Sequence, residues 1–307
     1  MRYSLLSRFQ GGLLGSILGE LWSSNFLRQD WRSLPNQKLS PWSEIGICTA
    51  ESLIRSGKLD PSDWQHIPHS QEVFLDLKNT ASSSEAALAM LPIALFFHES
   101  PGLLREKLEQ AAAIWQHSTE ASEDILVWGH AIALALREKL DPSQFIAQIL
   151  DHLGIVETSI GQQLVKVQTF LARGAGLEQV VAQLSRQGKP SQTAIALALY
   201  CFGYTPEDFR LCVTRAARTG CQPRTTAALT GALAGVYNSF SGIPACWRLA
   251  SQRHQTGKET YQRAKRLFAV WSGVYQPDSL DLPQSAAVAS PLVIQPRSSL
   301  KMISQKE

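Results

Sequence analysis

Residues 219–235 read TGCQPRTTAALTGALAG, so that Gly220, Cys221, Gln222, Pro223, Arg224 and Thr225 stand where a helix of Ala, Leu and Gly begins. A helix N-terminus carries unpaired N–H groups and the positive end of the helix dipole, which suits an anion or carboxylates gathered around a cation. An arginine in that position cannot ligate a metal, because the guanidinium stays charged and offers only donors. Its chemistry there is anion binding or ion pairing. Cys221, beside an arginine and a helix start, has the setting of a thiol with lowered pKa, but no base is assigned to it and an inert thiol is the expectation. The chain has no phosphate-binding G-x-x-x-x-G-K-[ST] loop, no G-x-G-x-x-G after a strand, no H-E-x-x-H and no G-x-S-x-G.

Composition narrows the rest. With 307 residues, 44% hydrophobic and 18% charged, the chain is globular and long enough for a large core. A net charge of +3, with no basic run, gives no case for nucleic acid. Five scattered cysteines without a C-x-x-C pair read as reduced, mostly buried thiols of a cytoplasmic protein. MRYSLLSRFQ and GGLLGSIL have the charge and apolar order of a signal peptide, yet Glu20 follows, no A-x-A site occurs, and the pattern runs on as an amphipathic helix. No apolar run approaches the ~20 residues that cross a membrane, so no membrane partner is expected.

The elements that must hold these residues are helical. The periodicity predicts helices near 8–22, 42–56, 84–98, 102–116, 120–139, 142–152, 156–173, 176–187, 191–202, 206–218, 223–240, 244–254 and 258–272, with strand signals almost absent. Asp60-Pro61, Asp141-Pro142 and Thr205-Pro206 read as capped helix starts, and Ser82 to Glu85 as a capping box. Pro92 should kink its helix. AALAMLPIALFF, ILVWGHAIALAL and TAIALALYCF are apolar nearly all round, as central helices are. His98 and His130 lie on such helices and read as satisfied core or boundary histidines; His117 reads as a turn residue. The expected domain is 1–275, with 276–307 a disordered tail of Ser, Pro, Gln and Lys.

Several segments together resemble the ADP-ribosylglycohydrolase family. RFQGGLLGSILGE (8–20) looks like its opening G-A-L-L-G-x-x-x-G-D helix. ICTAESLIRSGKLDPSDW (47–64) is similar to the helix after its Thr-Asp-Asp-Thr motif. SSSEAALAMLPIAL (82–95) and AAAIWQHSTEASEDILVWGHAIALAL (111–136) resemble its middle segments. DFRLCVTRAARTGCQPRTTAALTGALAGVYNSFSGIPACW (208–247) resembles its C-terminal signature, G-G-D-x-D-[ST] before a GALAGA helix. Order and spacing match over about 8–255. The resemblance implies a single all-α orthogonal multi-helix domain. It also implies a cleft in which two Mg²⁺ or Mn²⁺ ions, held by Asp and Thr/Ser oxygens, serve cleavage of an ADP-ribosyl glycosidic bond.

The implied ligand positions are substituted here. Thr-Asp-Asp-Thr falls on Ser40-Pro41-Trp42-Ser43, and G-G-D-x-D-[ST] falls on Gly220-Cys221-Gln222-Pro223-Arg224-Thr225. The acid closing the first helix becomes Glu20, and the middle-segment arginine becomes Ala89. The resemblance thus leads to an expectation of no metal and no cofactor. In their place stands a ligand-binding set of Arg224, Gln222, Thr225, Trp42 and Ser43, with Arg224 paired to Glu20, to Glu44 or to a ligand phosphate. The partner is then an ADP-ribose-like or nucleotide ligand, or a protein. Two other readings stand beside this one: a working hydrolase whose remodelled site uses Glu20, Glu44 and Ser43, and a helical interaction scaffold whose cleft Trp42 fills.

Overall fold

The computed structural model describes residues 3–25, 38–59, 82–115 and 119–273. Among them are fourteen α-helices and no strand. They are α1 (Leu5–Asn25), α2 (Pro41–Ser56), α3 (Ser83–Ala89), α4 (Leu91–Phe96), α5 (Pro101–Trp115), α6 (Thr119–Leu136) and α7 (Phe145–Leu153), followed by α8 (Ser159–Ala172), α9 (Leu177–Gln187), α10 (Pro190–Tyr204), α11 (Phe209–Ala217), α12 (Pro223–Gly242), α13 (Ala245–Arg253) and α14 (Gln255–Trp271). One hydrophobic core runs from Phe9 on α1 to Trp271 on α14. The fold class is all-α, as the periodicity implies. The reading of Asp60-Pro61, His117 and the tail from 276 falls outside the described residues.

Local chemistry explains most boundaries. Ser82 and Glu85 form the capping box, each side chain taking the other's backbone N–H. Pro92 breaks the predicted 84–98 helix into α3 and α4, with Met90 at φ −86°, ψ 0° between them. Two predicted starts are corrected. Asp141 does not cap a helix at Pro142: its Oδ1 accepts from Ser143 N at 2.9 Å and Ser143 Oγ at 2.7 Å, and α7 begins only at Phe145. Thr205 likewise closes a turn, its carbonyl accepting from Asp208 N at 3.0 Å, and Asp208 then caps α11 through Leu211 N at 2.9 Å. In both cases a local turn competes with the helix for the same polar groups and moves its start by three residues.

The centre of the fold is the contact of α1 with α12. Gly11, Gly15 and Gly19 face Gly235, Gly231 and Ala227 in reverse order, so the helices run antiparallel along small residues spaced four apart. A Cβ on Gly15 would sit 2.2 Å from Gly231 O, and one on Gly235 would sit 2.0 Å from Gly11 O. Backbone therefore meets backbone, and any side chain at these positions would force the helices apart. Further out, Phe9 packs edge-on against His98 at 5.9 Å and Phe268 at 5.6 Å, and Trp22 lies 4.6 Å from Trp247. Trp247 is buried behind the Pro244 helix start.

Candidate functional site

The glycine seam determines where the site forms. Because Gly19 touches Ala227, the next residue on α1, Glu20, arrives beside the first turn of α12. Gln222 precedes that turn in the left-handed region (φ 40°, ψ 56°), and Pro223 takes the first helical position, where its missing N–H costs nothing. Arg224 then projects toward Glu20, and its Nη2 donates to Glu20 Oε1 at 2.5 Å and to Lys38 O at 3.3 Å. The second wall is the start of α2. Ser40 caps it, accepting from Ser43 N at 3.3 Å, and Pro41 follows at the first position.

Glu20 is the electrostatic centre of this corner. Its side chain is 1% exposed, while that of Arg224 is 44% exposed. Oε1 accepts from both Arg224 Nη2 and Ser40 N, the latter also at 2.5 Å. Oε2 accepts from Ser43 Oγ. Burying a carboxylate costs several kcal/mol unless it is paired and hydrogen-bonded, and here it is both. Of the three partners named for Arg224 from sequence, two are residues, and the structure joins it to Glu20. At Cys48, on the same helix as Glu44, burial chiefly pushes the thiol up, and Glu44 and Glu51 raise it further.

The remaining predicted residues surround this pair. Trp42 is 4% exposed and belongs to the core. Gln222 is held by Ser84 Oγ, which donates to its Oε1 at 2.6 Å. Thr225 is half-buried at the start of α12. Cys221, half-buried, directs its thiol to Pro190 O at 3.5 Å, and burial raises its pKa, which fits an inert thiol. Sequence reasoning missed Ser84 as a site residue, having read it only as part of a cap; nothing local signals a bond across 138 positions. It also missed the buried Asp124 next to it, which accepts from Ser83 Oγ at 2.5 Å and Gln192 Nε2 at 3.2 Å. Of the two core histidines, His98 is satisfied through Leu95 O at 2.7 Å, whereas the buried Nε2 of His130 has no hydrogen-bond partner among the described residues. Both are core residues, as expected, and the expectation of satisfaction fails only at His130 Nε2.

Fold and motif order place the chain in a known family. Residues 1–277 match the model of the ADP-ribosylglycohydrolase family, and the chain belongs to it. It is 21% identical to an ADP-ribosylhydrolase, ARH3 of Xenopus tropicalis, over 241 residues, covering 69% of this chain and 67% of that one. It also superposes on a solved structure titled "ADP-ribosylglycohydrolase-related protein complex" with a TM-score of 0.61 and 21% identity, covering 86% of this chain and 98% of that chain. At that identity the likeness speaks for the fold alone. No helix of the described residues is long and apolar enough to cross a membrane.

Proposed function

We propose that this chain is a metal-independent member of the family. In this reading the Arg224–Glu20 pair stands where the resemblance puts metal ligands, and the corner binds an ADP-ribose-like or nucleotide ligand rather than cleaving one. The observation that carries this is the state of Glu20: buried, and taken up by a guanidinium, a backbone N–H and a hydroxyl. A magnesium or manganese ion needs several oxygen ligands, carboxylates among them. The residues here do not fit that need. Arg224 would repel a divalent cation, Gln222 Oε1 already accepts from Ser84, and no three His, Cys, Asp or Glu side chains gather to hold a metal among the described residues. What remains is a fixed positive group. Arg224 is 44% exposed at a helix N-terminus, and both features favour a phosphate over a cation.

Calorimetric titration with ADP-ribose in excess EDTA tests this. Saturable binding that weakens at least tenfold in Arg224→Ala is the expected result. Turnover of ADP-ribosylated substrate that requires Mn²⁺ would overturn it in favour of a remodelled hydrolase using Glu20, Glu44 and Ser43. A second reading, a helical scaffold for a protein partner, draws support from the burial of Trp42, which fills space beside the site. The absence of heat with ADP-ribose and nucleotides alike would favour that reading.

A further inference from the structure

A second polar cluster lies on α5, α6 and α7, apart from the Arg224–Glu20 pair on α12 and α1. The rings of His130 on α6 and His152 on α7 stack face to face, 4.1 Å apart and 14° from parallel. His130 is 4% exposed and its buried Nε2 has no hydrogen-bond partner among the described residues, while His152 is exposed. Gly129 lets α5 approach closely: a Cβ there would sit 2.4 Å from Leu108 Cδ1, and Arg105 stands one turn before Leu108. Arg137 follows the end of α6, its Nε reaching back to Ala133 O at 3.4 Å. The charges felt at His130 are those of His152, Arg137 and Arg105; those felt at His152 are Arg137 and Arg105. Among the described residues no carboxylate enters either set. The C-terminal ends of α6 and α7 offset part of the positive charge, about half a unit each, against two full guanidinium charges. A metal ion does not suit the cluster, because stacked rings hold their lone pairs parallel rather than convergent and the arginines repel a cation.

We propose that Arg105, His130, Arg137 and His152 form a second ligand site, which takes a phosphate-class oxyanion, either free or carried as the terminal phosphoryl group of a larger solute. The anion supplies the missing counter-charge, and the guanidiniums bind it through charge-assisted hydrogen bonds. His152 is the exposed ring of the stack and meets the anion, and His130 lies buried against its face. The test is an NMR titration of the histidine Cε1–H signals in the full chain at pH 6.5, with inorganic phosphate against sodium chloride at matched ionic strength. Both rings should shift saturably with phosphate. The Arg105→Ala/Arg137→Ala double variant should bind at least tenfold more weakly, with the rest of the spectrum unchanged. A nucleoside monophosphate run in parallel identifies the source: tighter binding than phosphate points to a carried phosphoryl group, equal binding to the free ion. Equal shifts with chloride, or unchanged phosphate affinity in the double variant, would overturn the proposal.

Discussion

Glu20 and His130 are both buried and titratable, and the fold treats them oppositely. An arginine, a backbone N–H and a serine converge on the Glu20 carboxyl group. His130 has an orphaned nitrogen and positive neighbours, and burial together with His152, Arg137 and Arg105 lowers its pKa to about 3. A buried group either acquires partners for its charged form or gives up the charge. The first solution makes a stable corner with its positive end turned outward. The second leaves a neutral ring beside positive neighbours, with no carboxylate of the described residues among the charges that act on it.

The largest effect of a single substitution should come from separating α1 and α12 at the corner itself. Gly19→Val would drive a side chain into Ala227 O, which lies 2.1 Å from the first added carbon. A loss of about 3 kcal/mol or more in urea unfolding is expected, together with loss of any ligand affinity that depends on Arg224. Smaller, at about 2 kcal/mol, is the cost of Arg224→Ala, which strands the Glu20 carboxylate; the figure lies below the usual 3–5 for a broken buried pair because Arg224 is half in water. Glu20→Gln should cost less than Arg224→Ala, since the freed guanidinium can reach solvent while a freed carboxylate cannot. Equal costs would show that the pair is not as asymmetric as its burial suggests.

Acid should act on the histidines. His98, lowered to about 4 by burial, and His130, lowered to about 3, stay neutral in the fold while the unfolded chain protonates them below about 6.5. The unfolded state then binds more protons, so stability falls as pH drops from 6.5 toward 4. For His98 alone the loss is on the order of 3 kcal/mol, and it should flatten in His98→Leu when the urea midpoint is followed against pH. Phosphate should blunt the part of the loss that belongs to His130. The smallest change expected is Ser84→Ala, about 1 kcal/mol, through release of Gln222.

Much of the architecture was legible because its causes are local. The capping box at Ser82, the break at Pro92 and the spacing of Gly11, Gly15 and Gly19 are written in short stretches of chain. The residue substitutions at 220–225 raised the question of Arg224, and the seam supplied its partner across 204 positions. Where local groups compete, as at Asp141 and Thr205, pattern alone misplaced the helix start. Contacts such as Ser84 with Gln222, or His130 with His152, depend on how separate helices dock and leave no mark in either segment.

The central claim is that a fixed ion pair stands in place of a metal centre. Calorimetric titration of the full chain with Mn²⁺, before any substrate is added, tests it most directly. The Arg224–Glu20 arrangement predicts no saturable heat. Tight, saturable binding of Mn²⁺ would contradict it and make hydrolysis of ADP-ribosylated substrates the leading account.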